Sequence, residues 1–266
     1  MKCIICDNKM NFYFKKKFTD FCLMQEVEYY KCSCCGFCAS KTHYNMTSEE
    51  WNILNKKFHN YQHHRTDNPY NRNNRYFEQS LMIHLCIRNG LINEDKMLDW
   101  GSGPGLVSKI LNQQFEHNLY CYDEYFQSEI NPIQKKQMSI RNFDFVLNTG
   151  VFEHVTSRET LNNIENYVKS TNSGCFGVHT LVPENIPKDP NWMYLLPVHS
   201  SFHTNKSMNI LLKQWKYKCS IYNPQAKLWV FFKNTPSIIE KKVKIINKIV
   251  GKDYLYFKEG FMDYWK

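Results

Sequence analysis

Apolar and polar positions follow two different rhythms along this chain. Between residues 96 and 235, short apolar runs alternate with stretches whose apolar residues recur at helical spacing. KMLDW, NLYCY, FDFVLNT, CFGVHT, YKCSIY and LWVFF read as strands. Residues 104–115, SRETLNNIENYV and a short stretch near 206–215 read as helices, with Ser157 as a good N-cap for the second. Alternation of this kind predicts an α/β fold with a mostly parallel sheet covered on both faces. Ahead of it, residues 41–95 read as largely helical. Thr47 and Glu50 form a capping box before Trp51, Ile53 and Leu54. A second helix is expected from about Arg75 to Asn89, with Phe77, Leu81 and Leu85 on one face and Gly90 as its stop. Pro183, Pro187, Pro190 and Pro197 exclude a regular element over 183–197, which reads as a lid over the sheet edge. The tail from Pro236 reads as one helix with an aromatic-rich end. There is no internal repeat and no low-complexity tract. The resulting division is a cysteine-rich segment 1–40, a helical connector 41–95, a main α/β domain 96–235 and a C-terminal helix and tail 236–266.

Composition adds three constraints. Over 266 residues a hydrophobic fraction of 42% can bury a substantial core. No apolar run reaches membrane-spanning length, and the first residues lack a signal peptide's apolar core, so a cytoplasmic protein is expected. Eleven cysteines in a reducing compartment point to thiols or metal ligands rather than disulfides. The formal net charge of +9, with basic runs at Lys15, Lys16 and Lys17 and at residues 241–248, reads either as solvated surface or as a field for anionic partners.

The stretch MLDWGSGPGLVSKIL carries the strongest chemical signal. Asp99, Gly101, Gly103 and Gly105 fall where a strand ends and a helix begins, and bare glycines admit a sharp turn and a close ligand. Pro104 fits a first helical turn. Asp123 ends the next strand, 22 residues after Gly101, where a carboxylate can hold both ribose hydroxyls. A carboxylate two residues before the first glycine disfavours a phosphate at that spot and suits a cation, such as a sulfonium with an amino-acid tail.

MLDWGSGPG resembles the first motif of class I S-adenosylmethionine-dependent methyltransferases. FDFVLNTGVFEHV resembles the motif that follows their fourth strand, and Gly174 onward matches their strand-five region. The likeness covers about 97–232. It implies a Rossmann-like, mostly parallel seven-stranded sheet that binds S-adenosyl-L-methionine. By that resemblance Asp99, Gly101 and Gly103 line the methionine and ribose side, Asp123 holds the ribose, and Asn148 and Thr149 border the reacting sulfur; Ser102, Gly105 and Glu124 are counted with them as cofactor-binding. Only about 20 residues separate Asp123 from Asp144, and no clear acid stands at a third strand end to read the adenine amine.

Cys3-x-x-Cys6 and Cys32-x-x-Cys35 make two knuckles, joined by a segment that reads as a small hairpin. Four thiolates close a tetrahedral zinc shell with no open position, so the predicted metal is structural. Cys34 and Cys38 are alternatives for the second pair. A zinc ribbon before such a domain is similar to a subgroup that methylates sugars in antibiotic and surface-polysaccharide pathways, where the extra segment helps form the acceptor site.

Histidine is the usual base near neutral pH. His154, His179 and His199 are the candidate bases at or beyond strand ends, where open α/β sheets keep their sites, and Glu153 could orient a base or bind the acceptor. His63, His64, Arg65, Tyr70, Arg72 and Arg75 lie in a polar stretch that reads as a solvated linker or as an acceptor-binding loop with arginines for phosphate or carboxylate. Trp192 and Tyr194 could stack on a sugar or simply pack. The chain thus reads as an O-methyltransferase with a histidine base, acting on a small polar or anionic acceptor such as a nucleotide-linked or phosphorylated sugar for capsule or surface polysaccharide. Sugar C-methylation, RNA methylation and a non-catalytic binding module are the alternatives. Nucleic acid is disfavoured, because the basic residues are not interleaved with aromatics in an RNA motif.

Overall fold

The structure is a computed structural model that describes residues 1–19, 26–64 and 69–263; residues 59–64 and 69–73 are described as helix backbone only. The strands predicted from 96 to 235 form, and with one more they make a seven-stranded sheet. These are β4 (Met97–Trp100), β5 (Tyr120–Tyr122), β6 (Phe145–Thr149), β7 (Cys175–His179), β9 (Cys219–Asn223), β10 (Leu228–Phe232) and β11 (Tyr256–Glu259). The spatial order is β11-β9-β10-β7-β6-β4-β5. β5, β4, β6 and β7 pair in parallel, β10 runs against β7 and β9, and β11 runs against β9. The order reverses at β4, where the chain goes first to β5 on one side and then to β6 on the other. In an open α/β sheet that switch point opens a crevice at the carboxyl ends of the strands.

Helices α4 (Leu106–Phe115), α5 (Arg158–Glu165) and α6 (Asn205–Gln214) connect these strands, and α7 (Pro236–Val250) precedes β11. Ser157 caps α5 by accepting from the Thr160 amide. The expected place of Pro104 inside the first helical turn does not hold: α4 begins at Leu106, with Gly105 in the left-handed region at φ 74° as its N-cap. Ahead of the sheet come a short α1 (Lys41–Tyr44), α2 (Ser48–His64) and α3 (Pro69–Arg88). The Thr47–Glu50 capping box is present, and Gly90 ends the α3 region at φ 66°. α3 starts six residues earlier than the apolar periodicity suggested, because its first turns carry almost no apolar side chains.

The cysteine-rich segment forms its own sheet. β1 (Met10–Lys17) and β2 (Glu26–Cys32) pair antiparallel, as the hairpin expectation required, and β3 (Cys38–Ser40) joins β2. The fourth strand, β8 (Ser201–Phe202), arrives from far along the chain and pairs with β3. The N-terminal sheet and the main sheet therefore share a continuous core: Cys3, Ile5, Cys35 and Phe37 pack in one apolar cluster with Val146, Phe152, Phe176 and Trp215. The Pro-rich segment has no regular element. It runs against the small sheet, with the Tyr13 hydroxyl donating to the Ile186 carbonyl and the Lys16 ammonium to the Pro190 carbonyl. Among the described residues no helix is long and apolar enough to cross a membrane.

Candidate active site

The glycine loop turns directly off β4. Gly101 and Ser102 both donate their amides to the Tyr122 carbonyl, so the loop is tied to the end of β5. Each glycine is present for a different reason. A Cβ on Gly101 would stand 2.4 Å from Cγ2 of Val151, and one on Gly105 would stand 2.5 Å from Oγ of Ser128. A Cβ on Gly103 would meet nothing within 4 Å among the described residues. Gly103 thus borders open space at the carboxyl edge of the sheet.

Asp99 lies under this loop and is 1% exposed. Its Oδ1 has no hydrogen-bond partner among the described residues. Burial, then the charge of Asp123, push its pKa up to about 8. Asn148 on β6 is fully buried; its amide nitrogen donates to the Trp100 carbonyl at 2.9 Å, while its Oδ1 has no partner among the described residues. Two buried polar oxygens near the loop therefore lack a partner among the described residues, which is a costly arrangement unless a ligand completes it. Asp123 holds the loop together. Its Oδ2 accepts from the Gly103 amide at 2.9 Å, and its Oδ1 accepts from the amides of Tyr125 and Phe126. Ser102 lies within the loop, and Thr149 ends β6 beside His179 on β7. Glu124 faces aside, onto a cavity of about 220 Å³ that Trp100, Thr160 and Tyr167 also line. Among the described residues no further strand extends the sheet beyond β5; on that edge a parallel bridge joins Cys121 to Pro132.

A tight 3-10 turn, Phe152–His154, follows β6 and carries Glu153 and His154. The start of β8 and the residue before it reach this turn: Ser200 donates its amide to the Glu153 carbonyl, and the Ser201 hydroxyl donates to the Phe152 carbonyl. Glu153 is 4% exposed. Its Oε1 accepts from the Tyr194 hydroxyl at 2.7 Å and its Oε2 from the Thr180 hydroxyl at 3.0 Å. Burial alone would raise its pKa, but His199, His154 and the Tyr194 hydroxyl together bring it below the ordinary value. The His154 and His199 rings meet edge to face, 5.1 Å apart. Nδ1 of His199 lies 2.7 Å from the Tyr194 carbonyl oxygen. A carbonyl only accepts, so Nδ1 bears the proton and Nε2 is left with its lone pair. Burial, the leading effect, lowers the pKa of His199.

Of the predicted site residues, Glu153, His154, His199 and Tyr194 converge. His179 ends β7 and turns Nδ1 to the Lys227 carbonyl at 2.7 Å; burial and the nearby Arg75 charge push its pKa down. Arg75 is half-buried, and its Nε has no partner among the described residues. Trp192 packs against Tyr194 and Phe202. His63, His64, Arg65, Tyr70 and Arg72 lie outside the residues whose side chains are described. Thr180 was not foreseen from sequence. Nothing in a Thr beyond a strand end marks it as a partner for a carboxylate 27 residues earlier.

The first knuckle meets the second. Sγ of Cys3 lies 3.5 Å from Sγ of Cys35, Sγ of Cys6 lies 3.5 Å from Sγ of Cys32, and all four fall within 4.8 Å of one another. Sulfurs around one tetrahedral ion at the usual Zn–S distance stand about 3.8 Å apart, so the donor set and its spacing fit. Cys34 is exposed, and Cys38 is buried in a separate cluster with Phe14 and Tyr29.

No known family's sequence profile matches the chain, and no curated protein matches it significantly. Several solved structures do. An S-adenosylmethionine-dependent methyltransferase from Thermotoga maritima is 12% identical over 63% of this chain and 96% of its own, with a TM-score of 0.38. Phosphoethanolamine N-methyltransferase 1 of Haemonchus contortus, solved with phosphoethanolamine and S-adenosylhomocysteine, is 14% identical over 77% of this chain and 55% of its own, with a TM-score of 0.42. A coclaurine N-methyltransferase, solved with N-methylheliamine and S-adenosylhomocysteine, is 13% identical over 66% of this chain and 61% of its own, with a TM-score of 0.34. At these identities and TM-scores the functional reading rests on the residues of the site.

Proposed function

We propose that the protein is an S-adenosylmethionine-dependent methyltransferase of a small polar or anionic acceptor. The observation that carries this reading is the buried, unpartnered Oδ1 of Asp99 beneath a glycine loop whose central residue, Gly103, borders open space. Burial disfavours the ionised form of this carboxyl in the ligand-free protein, and a cationic or N–H-bearing ligand would both partner the oxygen and favour the carboxylate. The methionine end of the cofactor supplies an ammonium and a sulfonium. Asp99 would hold the ammonium, Gly101–Gly105 would let the backbone approach, and Asp123 would exchange its bond from Gly103 for the ribose hydroxyls. The bound cofactor supplies an electrophilic methyl group.

The chain's own residues would do the rest. Methyl transfer to a hydroxyl needs an aligned nucleophile and a place for its proton. His199 suits that task because its Nε2 lone pair is fixed by the Nδ1 contact to Tyr194. Glu153, pinned by Tyr194 and Thr180, would steady the positive charge that forms on the ring. Arg75, whose Nε has no partner among the described residues and whose charge acts on His179 at the end of β7, supports a phosphate or carboxylate on the acceptor. O-methylation of a nucleotide-linked or phosphorylated sugar is our preferred reaction; a keto-sugar would use the same base to remove a proton from carbon. Cys3, Cys6, Cys32 and Cys35 would hold a structural zinc that ties the small sheet together.

The test is calorimetric titration with S-adenosylmethionine and S-adenosylhomocysteine, followed by transfer of labelled methyl to a panel of sugar nucleotides, sugar phosphates and RNA. Cofactor binding with transfer to the anionic sugars supports the reading. Binding with transfer to RNA alone overturns the acceptor assignment, and a folded protein that binds neither cofactor is not this enzyme.

A further inference from the structure

We infer that Glu153, His154 and His199 form a binding site for a divalent transition-metal ion of the zinc, cobalt or nickel kind. One ligand atom from each residue lies within 4.8 Å of the other two. Around a single such ion, nitrogen and oxygen donors at their usual bond lengths stand about 3–3.5 Å from one another. From separations of up to 4.8 Å, shifts of about an ångström per side chain close the shell. Two imidazoles and one carboxylate suit borderline metals, whereas magnesium and calcium prefer all-oxygen shells.

The surroundings already orient the donors. Nδ1 of His199 is committed to the Tyr194 carbonyl at 2.7 Å, so Nε2 is the atom that presents a lone pair. Each carboxylate oxygen of Glu153 accepts one hydroxyl, from Tyr194 or from Thr180, and keeps a further lone pair. A carbonyl behind a ligating histidine and hydroxyls behind a ligating carboxylate are the contacts that hold metal ligands in position. The carboxylate is 4% exposed and His199 is 7% exposed, so an ion there would be shielded from water on the protein side. Three protein donors leave a coordination position open, unlike the four-sulfur cluster, whose shell is full.

Metal and proton compete for one atom. With an ion on Nε2 of His199, that nitrogen cannot take a proton from an acceptor. The histidine-base chemistry proposed above therefore belongs to the ion-free protein, and ion binding switches it off. The metal site itself does not depend on the methyltransferase reading.

The experiment uses the full chain, with the cysteine cluster first filled with zinc and excess ion removed. Cobalt(II) is then titrated in, with absorption spectra and calorimetry as readouts. The expected result is one further equivalent whose bands lack thiolate charge transfer. Glu153→Gln and His199→Ala should each weaken it by about 10-fold or more, while circular dichroism and bound zinc stay unchanged. No second equivalent, or one that both variants bind as tightly as the parent, would overturn the inference. S-adenosylhomocysteine titration of the same samples reports the methyltransferase reading separately, because its site at the glycine loop does not use these three residues.

Discussion

Adding one methyl group at each of two neighbouring glycines should produce opposite symptoms. In Gly101→Ala the new Cβ stands 2.4 Å from Val151 Cγ2, and the backbone is at φ 79°. Holding a non-glycine residue in the left-handed region costs about 1–2 kcal/mol, and forcing a methyl into a packed contact costs about 1–3 kcal/mol more. The sum, about 2–5 kcal/mol, should appear as a shift in the urea midpoint without a change in slope. Val151→Ala in the same chain should return the packing part and leave the backbone part. In Gly103→Ala, at φ 52° with nothing within 4 Å of the new Cβ, only the backbone cost of about 1–2 kcal/mol remains. That methyl instead enters the space assigned to the cofactor, and an overpacking cost of about 1–3 kcal/mol there corresponds to roughly 5- to 150-fold weaker binding of S-adenosylhomocysteine. Equal stability losses in the two variants, or unchanged affinity in a folded Gly103→Ala protein, would refute the reasoning.

Asp99→Asn should stabilise the ligand-free protein at high pH. The folded pKa of Asp99 is raised to about 8, so its ionised form is disfavoured and stability falls as pH rises from about 4 to about 8. The gain from Asn should therefore be small at pH 4.5 and a few kcal/mol at pH 8.5 in denaturation curves, while cofactor binding is lost. Tyr194→Phe removes a 2.7 Å bond to the buried Glu153 carboxylate and should cost about 1–3 kcal/mol by urea denaturation. If His199 is the base, kcat/KM should rise with pH to a plateau, with its inflection below the ordinary histidine value of 6.5 because burial lowers this pKa. An inflection at or above that value would argue against His199. Cys3→Ser should drop bound zinc from one equivalent per chain to a small fraction, measured by plasma emission, and lower Tm.

The strands of the main sheet were legible because each is a short, almost wholly apolar run, as burial on both faces demands. Three strands were not. β3 and β8 have three and two residues, too few for any period, and they exist only because the chain brings them together over some 160 residues. β11 lies in the aromatic-rich tail, and its edge position leaves it half-polar. The glycine loop and the cysteine pairs could be read because their chemistry is local in sequence. The grip of Tyr194 on Glu153 spans 41 residues, and an aromatic among prolines fits stacking or packing equally well on sequence alone. The choice among Cys34, Cys35 and Cys38 depended on strand β3, whose pairing turns Cys38 into a different apolar cluster.

The most direct measurement of the central claim is a crystal structure of the protein soaked with S-adenosylhomocysteine. The account predicts the ligand's ammonium within hydrogen-bond distance of Asp99, its chain along Gly101–Gly105 and its ribose at Asp123. A ligand bound elsewhere, or a soaked crystal in which the glycine loop holds no ligand and Asp99 keeps an unpartnered oxygen, would contradict it.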